Sequence, residues 1–121
     1  MSINPVQIAQ LPYTNRIDNI QKIIQTLLSM DPKTAESAVK DLLTALSKAS
    51  DEDYKNWCEG TMRVISMFDD NVIKSILSLR MKVVSEMPKE VRDRDAKIVM
   101  EVLNSLDESV KEKLMKNMPK S

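Results

Sequence analysis

The chain has 121 residues, 42% of them apolar and 30% charged, which suits one folded domain with a single core and excludes a disordered chain. Eighteen basic and eighteen acidic residues cancel, which disfavours a nucleic-acid binder that relies on a broad basic surface. The sequence contains no histidine, the commonest general base and metal ligand, so we expect no metal, no cofactor and no enzymatic activity.

The cellular compartment is indicated by the single cysteine and by the distribution of apolar residues. Cys58 cannot form an internal disulfide bond, which fits a reducing compartment. The sequence shows no charged start followed by an apolar run, and no stretch approaches about 18 apolar residues. We therefore predict a cytoplasmic protein without membrane insertion.

The first dozen residues differ from the rest of the chain. Residues 1–12 contain prolines at positions 5 and 12 and show no helical apolar stripe, so we predict an extended N-terminal arm. Residues 13–121 are predicted to form a single helical domain. The apolar residues of the arm suggest that it lies on another surface; they are Ile3, Val6, Ile8 and Leu11.

Six helices are predicted after the arm, because apolar residues recur at helical spacing in six segments. The first starts near Thr14 and ends before Asp31, which can cap the second helix with Pro32 at its first position. The joints between helices are predicted at Met30, Ala49, Phe68, Met87 and Leu106. These joints are short, which makes consecutive helices antiparallel.

A shift of 38 residues superposes the chain on itself in three copies without gaps. The copies start at Leu11, Ala49 and Met87. A period of this length with a break in its middle is typical of stacked two-helix units. We therefore predict an all-α fold of six antiparallel helices, arranged as three helix-pair repeats in a short α-solenoid. The alternative is a closed helical bundle, whose helices have equal length because each spans the same small core.

In general form this pattern resembles tetratricopeptide and HEAT-type stacks. The tetratricopeptide signature of Trp, Leu-Gly, Tyr, Ala and Pro at fixed offsets is missing, and the period lies between the usual lengths of the two families. We assign the chain to neither family. The resemblance implies a protein that holds other molecules.

Gly60 is the single glycine of the chain and falls inside the third predicted helix. Glycine in an exposed helix interior costs about 1 kcal/mol relative to alanine. We therefore expect Gly60 to mark a bend or the close approach of a neighbouring backbone.

Arg80 lies on the apolar stripe of the fourth predicted helix, four residues after Ile76 and three before Val83. An arginine at such a position has to extend to solvent, pair with a carboxylate, or face a groove that receives an acidic ligand. The candidate structural partners are Glu59 or an aspartate of a neighbouring helix.

Two aromatic residues and the methionines are candidates for binding. Tyr54 and Trp57 in the third helix would anchor a partner if exposed, or would belong to the core. Eight internal methionines against one phenylalanine favour an adaptable binding face.

Other polar residues have simpler interpretations. Cys58 lies on an apolar stripe and is interpreted as a buried structural thiol. Asp93 and Asp95 are interpreted as acidic residues near a helix start, and Arg92 and Arg94 as solvated residues of the same turns.

These observations predict a non-enzymatic protein–protein interaction or adaptor module that associates with itself, as a homodimer. The arm and the spare apolar residues of the first helix, Ile23 and Leu28, are predicted to meet the second chain. The alternative is a small-ligand, anion-binding or regulatory domain with a pocket around Arg80.

Overall fold

The chain folds into α-helices joined by short turns. The computed structural model describes residues 3–119, and within that range it contains seven helices and no strand. The helices are α1 (Pro5–Ala9), α2 (Tyr13–Leu28), α3 (Pro32–Leu46), α4 (Asp51–Ile65), α5 (Asp70–Ser85), α6 (Lys89–Ser105) and α7 (Glu108–Lys116). The all-α prediction is confirmed. None of these helices combines the length and apolar character needed to cross a lipid bilayer.

The starts of helices α2 to α7 are evenly spaced, since each of α3 to α7 begins 19 residues after the preceding helix. The 38-residue period of the sequence is therefore two helices long. The chain is non-helical at Met30, Phe68 and Met87, as the sequence predicts. Several starts are capped by side chains that accept backbone hydrogen bonds: Asp31 from Thr34 at 3.0 Å, Ser50 from Asp53 at 3.2 Å and Asp69 from Val72 at 2.9 Å.

The prediction of an extended arm is wrong for part of residues 1–12, because Pro5–Ala9 forms the short helix α1. The side chain of Asn4 accepts a hydrogen bond from the backbone N–H of Gln7 at 3.2 Å, and Pro5 takes the first helical position, where no N–H is needed. A helix of five residues is too short to show an apolar stripe. Residues 1 and 2 of the predicted arm lie outside the described residues.

The helices pack in two rows of alternate helices. In the first row α4 lies between α2 and α6, and in the second row α3 contacts α5. Helix α1 packs against α2, α3 and α4. Helix α4 is the most buried, since it places six residues in the interior: Tyr54, Trp57, Cys58, Gly60, Val64 and Ile65. The apolar stripes of both rows meet in one main core.

Basic side chains close the carboxyl ends of several helices. Arg94 of α6 donates to the carbonyl oxygens of Ser47 at 3.0 Å and Ala49 at 2.6 Å, just after α3. Lys113 of α7 donates to the carbonyl oxygen of Ser66 at 2.7 Å, just after α4. Carbonyl groups at a helix end have no partner inside the helix and carry a partial negative charge, so both contacts are favourable. The interpretation of Arg94 as a solvated residue is therefore wrong.

Gly60 marks the contact between α4 and α2. A Cβ atom at this position would lie 2.5 Å from Cδ1 of Ile20, which is fully buried. The expected close approach is present, but it is made by a side chain of α2 and not by its backbone. Gly60 suits this contact because a larger residue would force Cδ1 of Ile20 to move.

We predict that Gly60→Ala lowers the free energy of unfolding by about 1 kcal/mol, because overpacking outweighs the gain of about 1 kcal/mol in helix propensity. Ile20→Val removes the Cδ1 atom that causes the clash. In the Ile20→Val background, Gly60→Ala should therefore be neutral or stabilising. Urea unfolding of the four proteins in this double-mutant cycle measures the coupling. Additive effects of the two substitutions would contradict the proposed contact.

Candidate binding groove

An apolar groove lies between the two rows of helices. It has a volume of about 420 Å³, and its walls come from helices α2 to α7. Its lining is predominantly apolar and includes Ile24, Leu42, Ile65, Ile76, Val99 and Leu103. Clefts of this size and character are usual for binding sites in proteins.

The mouth of the groove is rimmed by exposed apolar side chains from three helices. Leu28 of α2 is 43% exposed, Met81 of α5 is 44% exposed and Met100 of α6 is 54% exposed. Methionine is unbranched and flexible, and so it adapts to differently shaped partners. Met67 and Met115 are also exposed but do not line the groove. The rim therefore offers a defined apolar surface next to the cavity.

A buried hydrogen-bonded network borders the groove. Nη1 of Arg80 donates to Oδ2 of Asp95 at 2.9 Å, and Nη2 donates to Oδ1 at 2.6 Å. The hydroxyl group of Tyr54 donates to the same Oδ1 at 2.5 Å. Asp95 is 3% exposed, whereas the side chain of Arg80 is 29% exposed and lines the groove together with Asp95. The network ties α4, α5 and α6 to one another.

The sequence left three possibilities open for Arg80, and the structure shows the pairing with an aspartate of a neighbouring helix. Both Nη atoms are engaged by that carboxylate, in the bidentate geometry that arginine favours. Arg80 also lines the groove, so the paired guanidinium lies at the groove surface.

The ionisation states in this network follow from burial and pairing. Burial by itself would raise the pKa of Asp95, but the hydrogen bonds and charge of Arg80 outweigh this effect and hold the pKa below its ordinary value. Burial and the hydrogen bond to Asp95 raise the pKa of Tyr54 well above its ordinary value. Asp95 is thus an anion and Tyr54 a neutral donor near neutral pH.

Cys58 lines the groove as well and is 2% exposed. Burial raises the pKa of its thiol to about 11, so the thiol stays protonated near neutral pH. A protonated, buried thiol is a poor nucleophile, which agrees with the structural role predicted from the sequence. Within residues 3–119, no three or more Asp, Glu or Cys side chains are grouped so that they could hold a metal ion.

The predicted binding residues Tyr54 and Trp57 are both buried. Tyr54 belongs to the network with Asp95, and Trp57 forms part of the wall of the groove. Neither presents its ring to solvent as an exposed partner anchor, because the contacts of α4 with α2 and α6 cover this face of the helix. Trp57 thus helps to shape the groove, whereas Tyr54 supports Asp95, which lines it.

The six residues predicted to meet a second chain have different surroundings. Ile3, Ile8 and Ile23 are partly buried and pack against the main core of their own chain. Val6 and Leu11 are partly buried. Leu28 is exposed, and it belongs to the rim of the groove. The core thus already supplies a surface for the arm residues Ile3 and Ile8.

The sequence interpretation missed Asp95 as a site residue. It placed Asp95 with Asp93 at a helix start, but α6 begins at Lys89, so Asp95 lies in the second turn and faces inward. The buried residues of α6 are Asp95, Ile98, Val102 and Leu103. Their spacing of 3, 7 and 8 residues from Asp95 is the signal that places it on the apolar stripe, in the same way as Arg80 on its own helix.

Comparison with known proteins identifies no relative from which a role could be transferred. The sequence matches no protein-family model and no curated protein, and the fold matches no solved structure.

We predict that Asp95→Asn lowers the free energy of unfolding by about 2–3 kcal/mol, because it leaves the largely buried Arg80 without its counter-charge. Arg80→Met combined with Asp95→Asn should cost less than the sum of the two single substitutions. Asp93→Asn is the matched control, since Asp93 pairs with Lys89 on the exposed surface and should contribute little. Equal effects of Asp95→Asn and Asp93→Asn in chemical denaturation would contradict a stabilising role for the buried pair.

The same pair predicts a dependence of stability on pH. The pKa of Asp95 is lowered on folding, so its stabilising contribution is complete above the unfolded-state value of about 3.9 and is lost as the pH falls through the folded-state value. The difference in unfolding free energy between the wild type and Asp95→Asn should be constant from about pH 5 to 8 and shrink below about pH 4. A difference that stays constant down to about pH 3 would exclude this ionised pair as its source.

Proposed function

We propose that this chain is a non-enzymatic protein–protein interaction module that receives an apolar helix of a partner protein in the groove. The observation that carries the proposal is the apolar groove with its rim of Leu28, Met81 and Met100. Apolar grooves of this kind recognise amphipathic helices, whose apolar residues at i, i+3 or i+4 and i+7 enter the cleft.

The exposure of the rim favours a helix over a small molecule. Sites for small molecules bury most of the ligand surface, whereas this groove is open along a mouth that includes the exposed residues Leu28, Met81 and Met100. A partner helix would cover the rim and the cavity together. Exposed apolar residues that line one groove in this way are characteristic of interaction sites.

We also propose that the helices form an open stack and not a closed bundle. The two rows of alternate helices and the 19-residue interval between helix starts support a short stack of three helix pairs, with α1 packed beside the first of them. A closed bundle would fill the space between its helices with side chains, so the open groove supports the stack.

Three other predictions from the sequence concern an anion-binding pocket, self-association and the cellular location. An anion-binding pocket centred on Arg80 is disfavoured, because Asp95 already occupies both Nη atoms. Self-association stays a prediction. Among the residues proposed for it, Leu28 is exposed, so a second copy would compete with other partners for the rim. The cytoplasmic location stays part of the proposal, on the basis of the single, buried, unpaired Cys58.

We predict that Met81→Glu combined with Met100→Glu reduces recovery of the bound partner at least tenfold, because two charges would enter an apolar contact. Met67→Glu combined with Met115→Glu is the matched control, with the same change at exposed methionines outside the groove. The measurement is quantitative mass spectrometry of proteins that co-purify with each tagged variant from the native cells. Melting curves check that both variants are folded.

Equal recovery by the rim variant and the wild type would contradict the proposal, and so would the absence of any specifically retained protein. Light scattering of the purified chain separates self-association from binding of another protein. A dimer that the rim variant abolishes would show that a second copy covers the groove.

A further inference from the structure

The charged residues of the groove lining lie toward one end, here called the polar end, which also contains apolar residues such as Met81 and Val84. Arg80 lies five residues before the end of α5, and Arg92 lies three residues after the start of α6, so both are near the α5–α6 joint. Asp95 follows one turn later. The opposite direction along α6 leads to Met100 and Leu103 in the same lining. Charge is therefore concentrated at the end near the α5–α6 joint.

This polar end has an excess of positive charge. The charged residues of the lining are Arg80, Arg92 and Asp95. The carboxylate of Asp95 is occupied by Arg80 and Tyr54, so it is not available to neutralise a second cation. Arg92 is exposed, and within residues 3–119 no carboxylate oxygen lies within 4.0 Å of its guanidinium nitrogens.

We propose that the partner helix carries an acidic residue at one end of its apolar face, and that this carboxylate binds Arg92 at the polar end of the groove. The inference rests on the proposed function and specifies the chemistry of the partner. Arg80 contributes no free charge, because the carboxylate of Asp95 binds both of its Nη atoms, so the excess positive charge is that of Arg92. The apolar residues of the helix then extend from Arg92 toward Met100 and Leu103.

Charge complementarity determines both the preference and the orientation of the helix. A carboxylate at the polar end gains a charge-assisted hydrogen bond from a guanidinium group, whereas a lysine there is repelled by the net positive charge. An acidic residue at the other end of the helix would lie among apolar side chains and lose hydration without a partner. The groove therefore selects one direction of the bound helix as well as its sequence.

A fatty acid would combine an apolar chain with a carboxylate and is the main competing ligand. The groove is less suited to it, because the exposed rim residues Leu28, Met81 and Met100 would stay in water beside a single thin chain. A helix brings enough apolar surface to cover them. The two ligands are distinguished by experiment.

The test is a selection from a displayed library of 18-residue helical peptides, with apolar residues at helical spacing and Glu, Gln, Lys or Ser at the flanking positions. The targets are the wild type, Arg92→Glu and the control Lys74→Glu, which makes the same charge change at an exposed residue of α5 outside the groove. We expect the wild type and the control to enrich peptides with Glu at one end of the apolar face. Arg92→Glu should lose this preference or enrich Lys instead.

Binding constants of a selected peptide complete the test. Replacing its Glu by Gln should weaken binding to the wild type roughly fivefold and leave binding to Arg92→Glu unchanged, as a direct pair requires. Fluorescence anisotropy of the labelled peptide measures both values. An equal loss with both proteins would overturn the assignment of Arg92 as the partner of the carboxylate.

The failure of this inference is distinguishable from the failure of the proposed function. Enrichment of apolar helices that the Met81→Glu, Met100→Glu variant does not bind, but without any acidic preference, would overturn the charge inference alone. Enrichment of no helix would overturn the proposed function as well. Binding of dodecanoate to the wild type, weakened by Arg92→Glu and accompanied by no helix enrichment, would assign the groove to a fatty acid and overturn both.

Discussion

The packing of α4 between α2 and α6 is the constraint on which the rest of the structure depends. This helix buries residues on both sides, and its contact with α2 is so close that a Cβ atom at Gly60 would displace Cδ1 of Ile20. The same helix supplies Tyr54, which joins the Arg80–Asp95 pair, and Trp57, which lines the groove. A shift of α4 would therefore alter the core, the buried network and the groove together.

The groove is a consequence of how α2 to α6, which have similar lengths, alternate between the two rows. Each joint reverses the chain, so consecutive helices fall into different rows and alternate helices pack side by side. The rows meet in the core but leave an open cleft lined by residues of both. Basic side chains such as Arg94 and Lys113 donate hydrogen bonds to carbonyl oxygens at the joints and so connect each joint to a neighbouring helix. The apolar rim is then held on rigid elements, which is favourable for recognition.

The buried pair of Arg80 and Asp95 has a mixed role. Replacing such a pair by apolar residues is often neutral or stabilising, so its energetic contribution alone does not explain its presence. At the border of the groove it fixes α5 against α6 and leaves part of Arg80 exposed in the lining that also contains Arg92. The pair thus links the stability of the fold to the positive end of the proposed binding surface.

The amino-acid sequence by itself determined the helical class and the positions of the joints, because both depend on local signals. Apolar spacing marks each helix, and residues such as Asp31, Pro32 and Ser50 provide caps and starts within a few residues of the chain. The unusual position of Arg80 on an apolar stripe was also visible in the sequence. Helix α1 was not, because five residues are too few to show a period.

Tertiary structure alone decided which residues form the site. Sequence patterns place a residue on one face of its own helix but do not say which other helix covers that face. The packing of α4 buried Tyr54 and Trp57. The approach of α6 made Asp95, and not Glu59, the partner of Arg80. The open cleft between the rows left Met81 and Met100 exposed in the same lining. These outcomes depend on contacts between residues far apart in the chain, and no local signal encodes them.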